Sequence, residues 1–191
     1  MKINIYGSTG VIGKKTLSLI DKNFPDLNVG LLCAKSNLKL LTKQIKKYKP
    51  KYAFLYDHEK FSNFNYKIGK TKFLNLLELE SYLLSSQSNF SLLAISGYKS
   101  LYFLENIIQN TDNLGIVSKE AIVSTGHIFR IKRYFKKTNI FPIDSEHFSL
   151  FEFFNKINFK SKIKKVILTA SGGPFYRKKF KSLKNIKFKQ A

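Results

Sequence analysis

The first thirteen residues constrain the fold more than any other stretch of this chain. Residues 2–6 (KINIY) form a short run carrying Ile3 and Ile5, a plausible buried strand, and the run stops at Gly7. Gly10 and Gly13 follow at intervals of three, and Leu17 and Ile20 then recur at helical spacing over residues 14–22. Strand, glycine turn and helix in immediate succession open a nucleotide-binding βαβ unit. A glycine directly after a strand lets the backbone turn tightly and approach a pyrophosphate, while the helix points unpaired N–H groups at the anion. The spacing is GxxGxxG and not GxGxxG, so a plain structural turn is the competing reading.

The alternation continues. Strands are expected over 29–33, 52–55, 91–95, 114–117, 139–143 and 164–170, and helices over 38–48, 75–85, 101–110, 119–136 and 146–155. Residues 57–73 are polar and turn-rich and carry no clear period. Strands alternating with helices predict an α/β fold, a mostly parallel sheet with helices on both faces.

Charge invites a different reading. Lys and Arg number 34 against 12 Asp and Glu, a formal net charge of +22. Such a balance is a footprint of nucleic-acid binding. Yet Arg occurs only at Arg130, Arg133 and Arg177, so 34 − 3 leaves 31 lysines, and phosphate clamps and base readers favour the bidentate guanidinium. Abundant Lys, Phe, Tyr, Ile and Asn, all written with A/T-rich codons, point to compositional bias, and no nucleic-acid partner is expected. No apolar stretch approaches the roughly 18–20 residues of a membrane span. Cys33 alone excludes an internal disulfide framework and a multi-cysteine metal site. With a strand beginning at Lys2 and no signal or transit peptide before it, the expectation is a soluble cytoplasmic protein.

Four further stretches carry groups suited to chemistry. Lys35, Ser36 and Asn37 follow the second strand, where the adenosine ribose lies in such folds. Basic and hydroxyl groups there suit a 2′-phosphate, and an ordinary polar turn is the alternative. Ser118-Lys119-Glu120 sits at a strand-to-helix junction, where a lysine meets a phosphate or simply starts a helix. Asp144-Ser145-Glu146-His147 offers two carboxylates within one turn. They suit Mg²⁺ or Mn²⁺ with oxygen ligands, or an Asp cap with a dipole-compensating Glu. Ser171-Gly172-Gly173-Pro174 exposes N–H groups and a hydroxyl suited to an anion, or forms a simple loop.

In this order and spacing, residues 7–13 (GSTGVIG), 118–126 (SKEAIVSTG), 142–147 (PIDSEH) and 168–175 (LTASGGPF) resemble the 1-deoxy-D-xylulose 5-phosphate reductoisomerase family. The resemblance covers essentially the whole chain. It implies a Rossmann-like NADPH-binding domain over 1–143 and the start of an α/β catalytic domain over 144–191. It also implies NADPH- and divalent-metal-dependent conversion of the ketose phosphate to 2-C-methyl-D-erythritol 4-phosphate, in isoprenoid biosynthesis by the non-mevalonate pathway. Thr9, Gly10, Val11, Ile12, Lys35, Ser36, Asn37, Ser118 and Glu120 match cofactor-binding positions. Asp144 and Glu146 match metal ligands, and Lys119, Ser145, Glu146 and Ser171 match substrate contacts, with Lys119 and Glu146 the catalytic pair. The chain departs from the family at Ser118, where Asn is typical, and at Lys35, where Gly is typical. The family forms homodimers, and its later metal and substrate residues lie beyond Ala191. The resemblance therefore implies a chain that binds NADPH but is inactive alone. The alternative is a non-catalytic NADP-binding module that needs a partner chain.

Overall fold

The centre of the sheet is β1 (Lys2–Tyr6), whose alternating side chains enter two different cores: Ile3 and Ile5 on one face, Tyr6 on the other. In this computed structural model the described residues are 1–126, 138–156, 163–167, 175–179, 184 and 186–187. Seven more strands follow: β2 (Asn28–Ala34), β3 (Tyr52–Leu55), β4 (Lys67–Ile68), β5 (Thr71–Phe73), β6 (Ser88–Leu93), β7 (Thr111–Ile116) and β8 (Asn139–Pro142). Their order is β4-β5-β3-β2-β1-β6-β7-β8, and every neighbouring pair is parallel except β4–β5. The chain thus winds outward from β1 through β3 to the β4–β5 hairpin at the edge, returns, and winds outward on the other side through β8. The strand order reverses between β1 and β6, the point where ligands collect in open α/β sheets.

Helices α1 (Val11–Asn23) and α2 (Leu38–Tyr48) cover one face, burying Leu17, Ile20, Leu41 and Ile45 against Ile5, Leu32 and Leu55. Helices α3 (Leu76–Ser85), α4 (Leu101–Gln109) and α5 (Lys119–Thr125) cover the other, with Leu79, Leu83, Leu104, Ile107 and Ala121 packed on Tyr6, Leu31, Leu93 and Leu114. The expected mostly parallel α/β sheet with helices on both faces is what forms. The chain divides into two compact units, Met1–Phe148 and Ser149–Ala191, and α6 (Ser145–Lys156) begins in the first. No helix among the described residues is long and apolar enough to cross a membrane.

The departures from expectation have physical reasons. β6 starts at Ser88, three residues before its apolar run, because Ser88 Oγ bonds Ser91 Oγ at 3.0 Å and Thr111 Oγ1 at 3.1 Å. Polar residues become strand-compatible once their partners lie on the next strand. The unassigned stretch 57–73 holds a one-turn 3-10 helix, His58–Lys60, and the β4–β5 hairpin, turned at Gly69 with φ +58. Residues 163–167 form no strand, and 168–170 lie outside the described residues. The helix expected over 119–136 ends at Thr125, and residues 127–136 also lie outside the description.

Candidate functional site

At the end of β1 the chain turns through Gly7, whose φ of +93 suits glycine, and a Cβ there would lie 2.4 Å from the Ala94 carbonyl oxygen. A Cβ on Gly13 would lie 2.4 Å from the Gly7 carbonyl oxygen. These two glycines are therefore demanded by the turn's packing on itself and on the segment after β6. The Gly7 and Ser8 amides both donate to the Cys33 carbonyl, at 2.9 and 2.8 Å. Ser8 is fully buried and donates through Oγ to Gln44 Oε1 at 2.8 Å, while Gln44 Nε2 donates back to the Ser8 carbonyl at 2.9 Å. That reciprocal pair anchors the turn to α2.

Gly10 is the N-cap of α1 and supplies no side-chain cap, and the first turn of α1 holds no acid. By contrast α2, α3 and α5 are capped by Asn37, Asn75 and Ser118. The first turn of α1 thus offers N–H groups and a positive dipole end with no carboxylate to oppose an incoming anion.

A cavity of about 620 Å³ opens at this edge of the sheet. Its lining includes Gly7, Thr9 and Gly10 after β1, Ala34 and Lys35 at β2, Tyr56 after β3, and Ala94, Ser96 and Lys99 after β6. Of the cofactor residues expected from sequence, Thr9, Gly10 and Lys35 line it. Val11, Ile12, Ser36 and Asn37 stand beside it, and the Asn37 side chain accepts from the Leu40 amide at 3.0 Å as the cap of α2. Sequence reasoning missed Tyr56, Ala94, Ser96 and Lys99. They belong to no motif, and only the parallel pairing of β2–β3 and β1–β6 carries them to the glycine turn.

A second cluster forms where β7 and β8 end side by side. Parallel pairing of Ile116 with Pro142 puts Ser118-Lys119-Glu120 next to Asp144-Ser145-Glu146. Lys119 Nζ lies 3.9 Å from Glu146 Oε1. Ser118 is buried; its Oγ accepts from the Ala121 amide at 3.4 Å and donates to Glu120 Oε2 at 2.8 Å. That bond and, before it, the residue's own backbone amide hold the Glu120 carboxyl below its usual value. Asp144 accepts from the His147 amide and ring Nδ1, each at 2.9 Å. Burial pushes this carboxyl up, and the two His147 bonds outweigh it, so it stays below the usual range. Glu146 is also held down, first by the Ser145 hydroxyl at 2.7 Å, then by its own backbone amide and the Lys119 charge. Both acids are ionised at neutral pH, as hard-cation ligands must be.

Among the described residues no three His, Cys, Asp or Glu side chains gather into a metal-holding group. Asp144 and Glu146 fit a hard divalent ion as a partial oxygen set, which needs water, substrate or other residues to complete it. Ser171 lies outside the described residues. The two clusters share the carboxyl edge of the sheet, with β8 three strand spacings from β1, roughly 14 Å at about 4.8 Å per spacing.

Comparison with known proteins bears on the family and the fold. Residues 3–126 match the family model described as 1-deoxy-D-xylulose 5-phosphate reductoisomerase, and residues 140–191 match that of its C-terminal domain. The chain is 33% identical to the Pelagibacter ubique reductoisomerase, covering 100% of this chain and 50% of that protein. It is 35% identical to that of Thermodesulfovibrio yellowstonii, covering 97% and 49%. Among solved structures, the Zymomonas mobilis reductoisomerase in complex with NADPH superposes with a TM-score of 0.77 at 26% identity, over 97% of this chain and 50% of that one. A reductoisomerase in complex with NADPH, fosmidomycin and magnesium gives 0.73 at 25% identity, over 100% and 50%. The chain spans about half the length of the curated relatives it matches.

Proposed function

This chain belongs to the 1-deoxy-D-xylulose 5-phosphate reductoisomerase family, and from that premise we propose that it serves the NADPH- and divalent-metal-dependent isomerisation and reduction of 1-deoxy-D-xylulose 5-phosphate to 2-C-methyl-D-erythritol 4-phosphate. Residues 1–143 are the cofactor domain and 144–191 the beginning of the catalytic domain. Thr9, Gly10, Val11 and Ile12 take the pyrophosphate on the open N-terminus of α1, and Lys35, Ser36 and Asn37 take the adenosine ribose. Ser118 and Glu120 complete the cofactor contacts.

Asp144 and Glu146 would hold Mg²⁺ or Mn²⁺, and a bound metal supplies Lewis-acid polarisation of the substrate carbonyl. NADPH supplies the hydride, which the protein orients. Lys119, Ser145, Glu146 and Ser171 hold the sugar phosphate, Lys119 by charge and the two serines by hydrogen bonds. Lys119 also balances the Glu146 charge, adding to the Ser145 hydroxyl and the residue's own backbone amide in favouring the carboxylate.

The observation that carries this reading is the 3.9 Å approach of Lys119 to Glu146 at the same sheet edge as the glycine-turn cavity. The test is a titration of the purified chain with NADPH, followed by an assay of substrate- and Mg²⁺-dependent NADPH oxidation. The assay is run with the chain alone and with the half of the Pelagibacter ubique relative that it does not match. The expected result is saturable binding by the chain, with turnover only in the mixture, abolished by Glu146→Gln. Absence of NADPH binding overturns the reading.

A further inference from the structure

The cavity lining carries two groups that no motif singles out, Tyr56 and Lys99. Tyr56 follows β3 and is exposed, and its amide donates to the Ala34 carbonyl at 3.0 Å, which ties it to the end of β2. Lys99 comes from the opposite half of the sheet, in the turn Tyr98–Ser100 after β6. Its Nζ nevertheless lies 5.7 Å from the Tyr56 ring centroid, over the ring face. A residue from beyond the switch point thus reaches across the groove to meet one from β3.

Charge in this corner is unbalanced. Asp57, next to Tyr56, is already paired with Lys60 Nζ at 2.9 Å. Its carboxyl is held low first by that bond, with the Lys35 and Lys99 charges adding to it at longer range. Neither Lys35 nor Lys99 joins an ion pair among the described residues. Both line the cavity, whose one acid among the described residues is Glu80 on α3. An aromatic ring beside two ammonium groups that join no ion pair among the described residues, at the strand ends where an adenosine sits, matches a purine ring bearing a ribose phosphate.

We infer that Tyr56 and Lys99 close the adenine end of the cavity as a clamp, the ring packing on the base and Lys99 joining Lys35 on the 2′-phosphate. This rests on the cofactor reading above and names the residues that select NADPH over NADH. The clamp is distributed across both halves of the sheet, so it exists only in the folded domain.

The experiment compares dissociation constants for NADPH and NADH in the wild-type chain and in Lys99→Ala, Lys35→Ala, Tyr56→Ala and Lys46→Ala. The last removes an equal charge from the outer face of α2, and circular dichroism checks every variant for folding. Lys99→Ala and Lys35→Ala are each expected to weaken NADPH about tenfold and NADH less than twofold, as for a lost charge-assisted bond. Tyr56→Ala is expected to weaken both about tenfold, since stacking ignores the 2′ substituent, and Lys46→Ala to change neither. A wild-type preference for NADPH that is undiminished in Lys99→Ala overturns the clamp and leaves the cofactor reading intact. Equal or tighter NADH binding by the wild type overturns it too and points to Glu80 as a ribose acceptor. Failure of the wild type to bind either dinucleotide overturns the cofactor reading itself.

Discussion

Replacing Gly10 with Asp separates the demands of the fold from those of the ligand. Gly10 has φ −72 and ψ 175, the extended geometry of an N-cap, which a side-chain-bearing residue adopts freely. An added Cβ meets only the Gly7 carbonyl oxygen at 3.3 Å, a contact relieved by a shift of a few tenths of an ångström. An Asp cap gains a few tenths of a kcal/mol over Gly, and a negative charge at a helix start adds about 0.3–1 kcal/mol. Stability should therefore hold or rise slightly, by at most about 2–4 °C in a domain of this size. The same carboxylate placed about 5 Å from a pyrophosphate charge costs roughly 3 kcal/mol at an effective dielectric near 20. That is a loss on the order of a hundredfold in affinity. A thermal scan and an NADPH titration on the same sample measure both, and Gly10→Asn, a cap without charge, isolates the electrostatic part. NADPH binding within twofold of wild type in Gly10→Asp would refute the claim that the first turn of α1 meets the phosphates. A melting temperature lowered by more than about 5 °C would show that Gly10 is there for packing.

Other outcomes follow from the same geometry. Leu79→Ala, emptying a fully buried position under α3, should cost about 2–5 kcal/mol, read as a lower urea midpoint at unchanged slope. Ser118→Ala removes the cap of α5 and its bond to Glu120. It should cost about 1 kcal/mol in thermal or urea unfolding, and no loss would refute the cap. Burial pushes the Cys33 thiol far up, so native protein should resist thiol reagents at pH 8 while urea-unfolded protein reacts at once; rapid stoichiometric labelling of native protein would contradict this burial. Asp21, Asp57 and Glu78 are all held below their usual values, each chiefly by a hydrogen bond from a lysine. A depressed carboxyl contributes stability that is present above its unfolded pKa, about 4, and lost as the pH falls through its folded one. The melting temperature should accordingly be level from about pH 5.5 to 8 and fall below about pH 4.5. Asp21→Asn, which removes the partner of Lys47 and Tyr48, should shrink that fall.

Local periodicity was enough to read β1, the glycine turn, α1, α2 and β3, because the strands are apolar on both faces and each helix buries one apolar face on the sheet. It was enough, too, to put Ser118–Glu120 and Asp144–His147 at strand ends. It failed where pairing supplies what the side chains lack. Lys72 and Phe73 are strand residues because Tyr52 and Ala53 lie beside them, and Ser88 because Thr111 satisfies its hydroxyl. The Ser8–Gln44 anchor spans 36 residues and the Lys99–Tyr56 approach crosses the switch point; neither leaves a mark on its neighbours in sequence. Which residues sit at strand tips is a local matter of hydrophobic rhythm and glycine placement. Which tips stand next to one another is set by the order of the strands, and that order is an outcome of long-range packing and hydrogen bonding that no short stretch of chain encodes by itself.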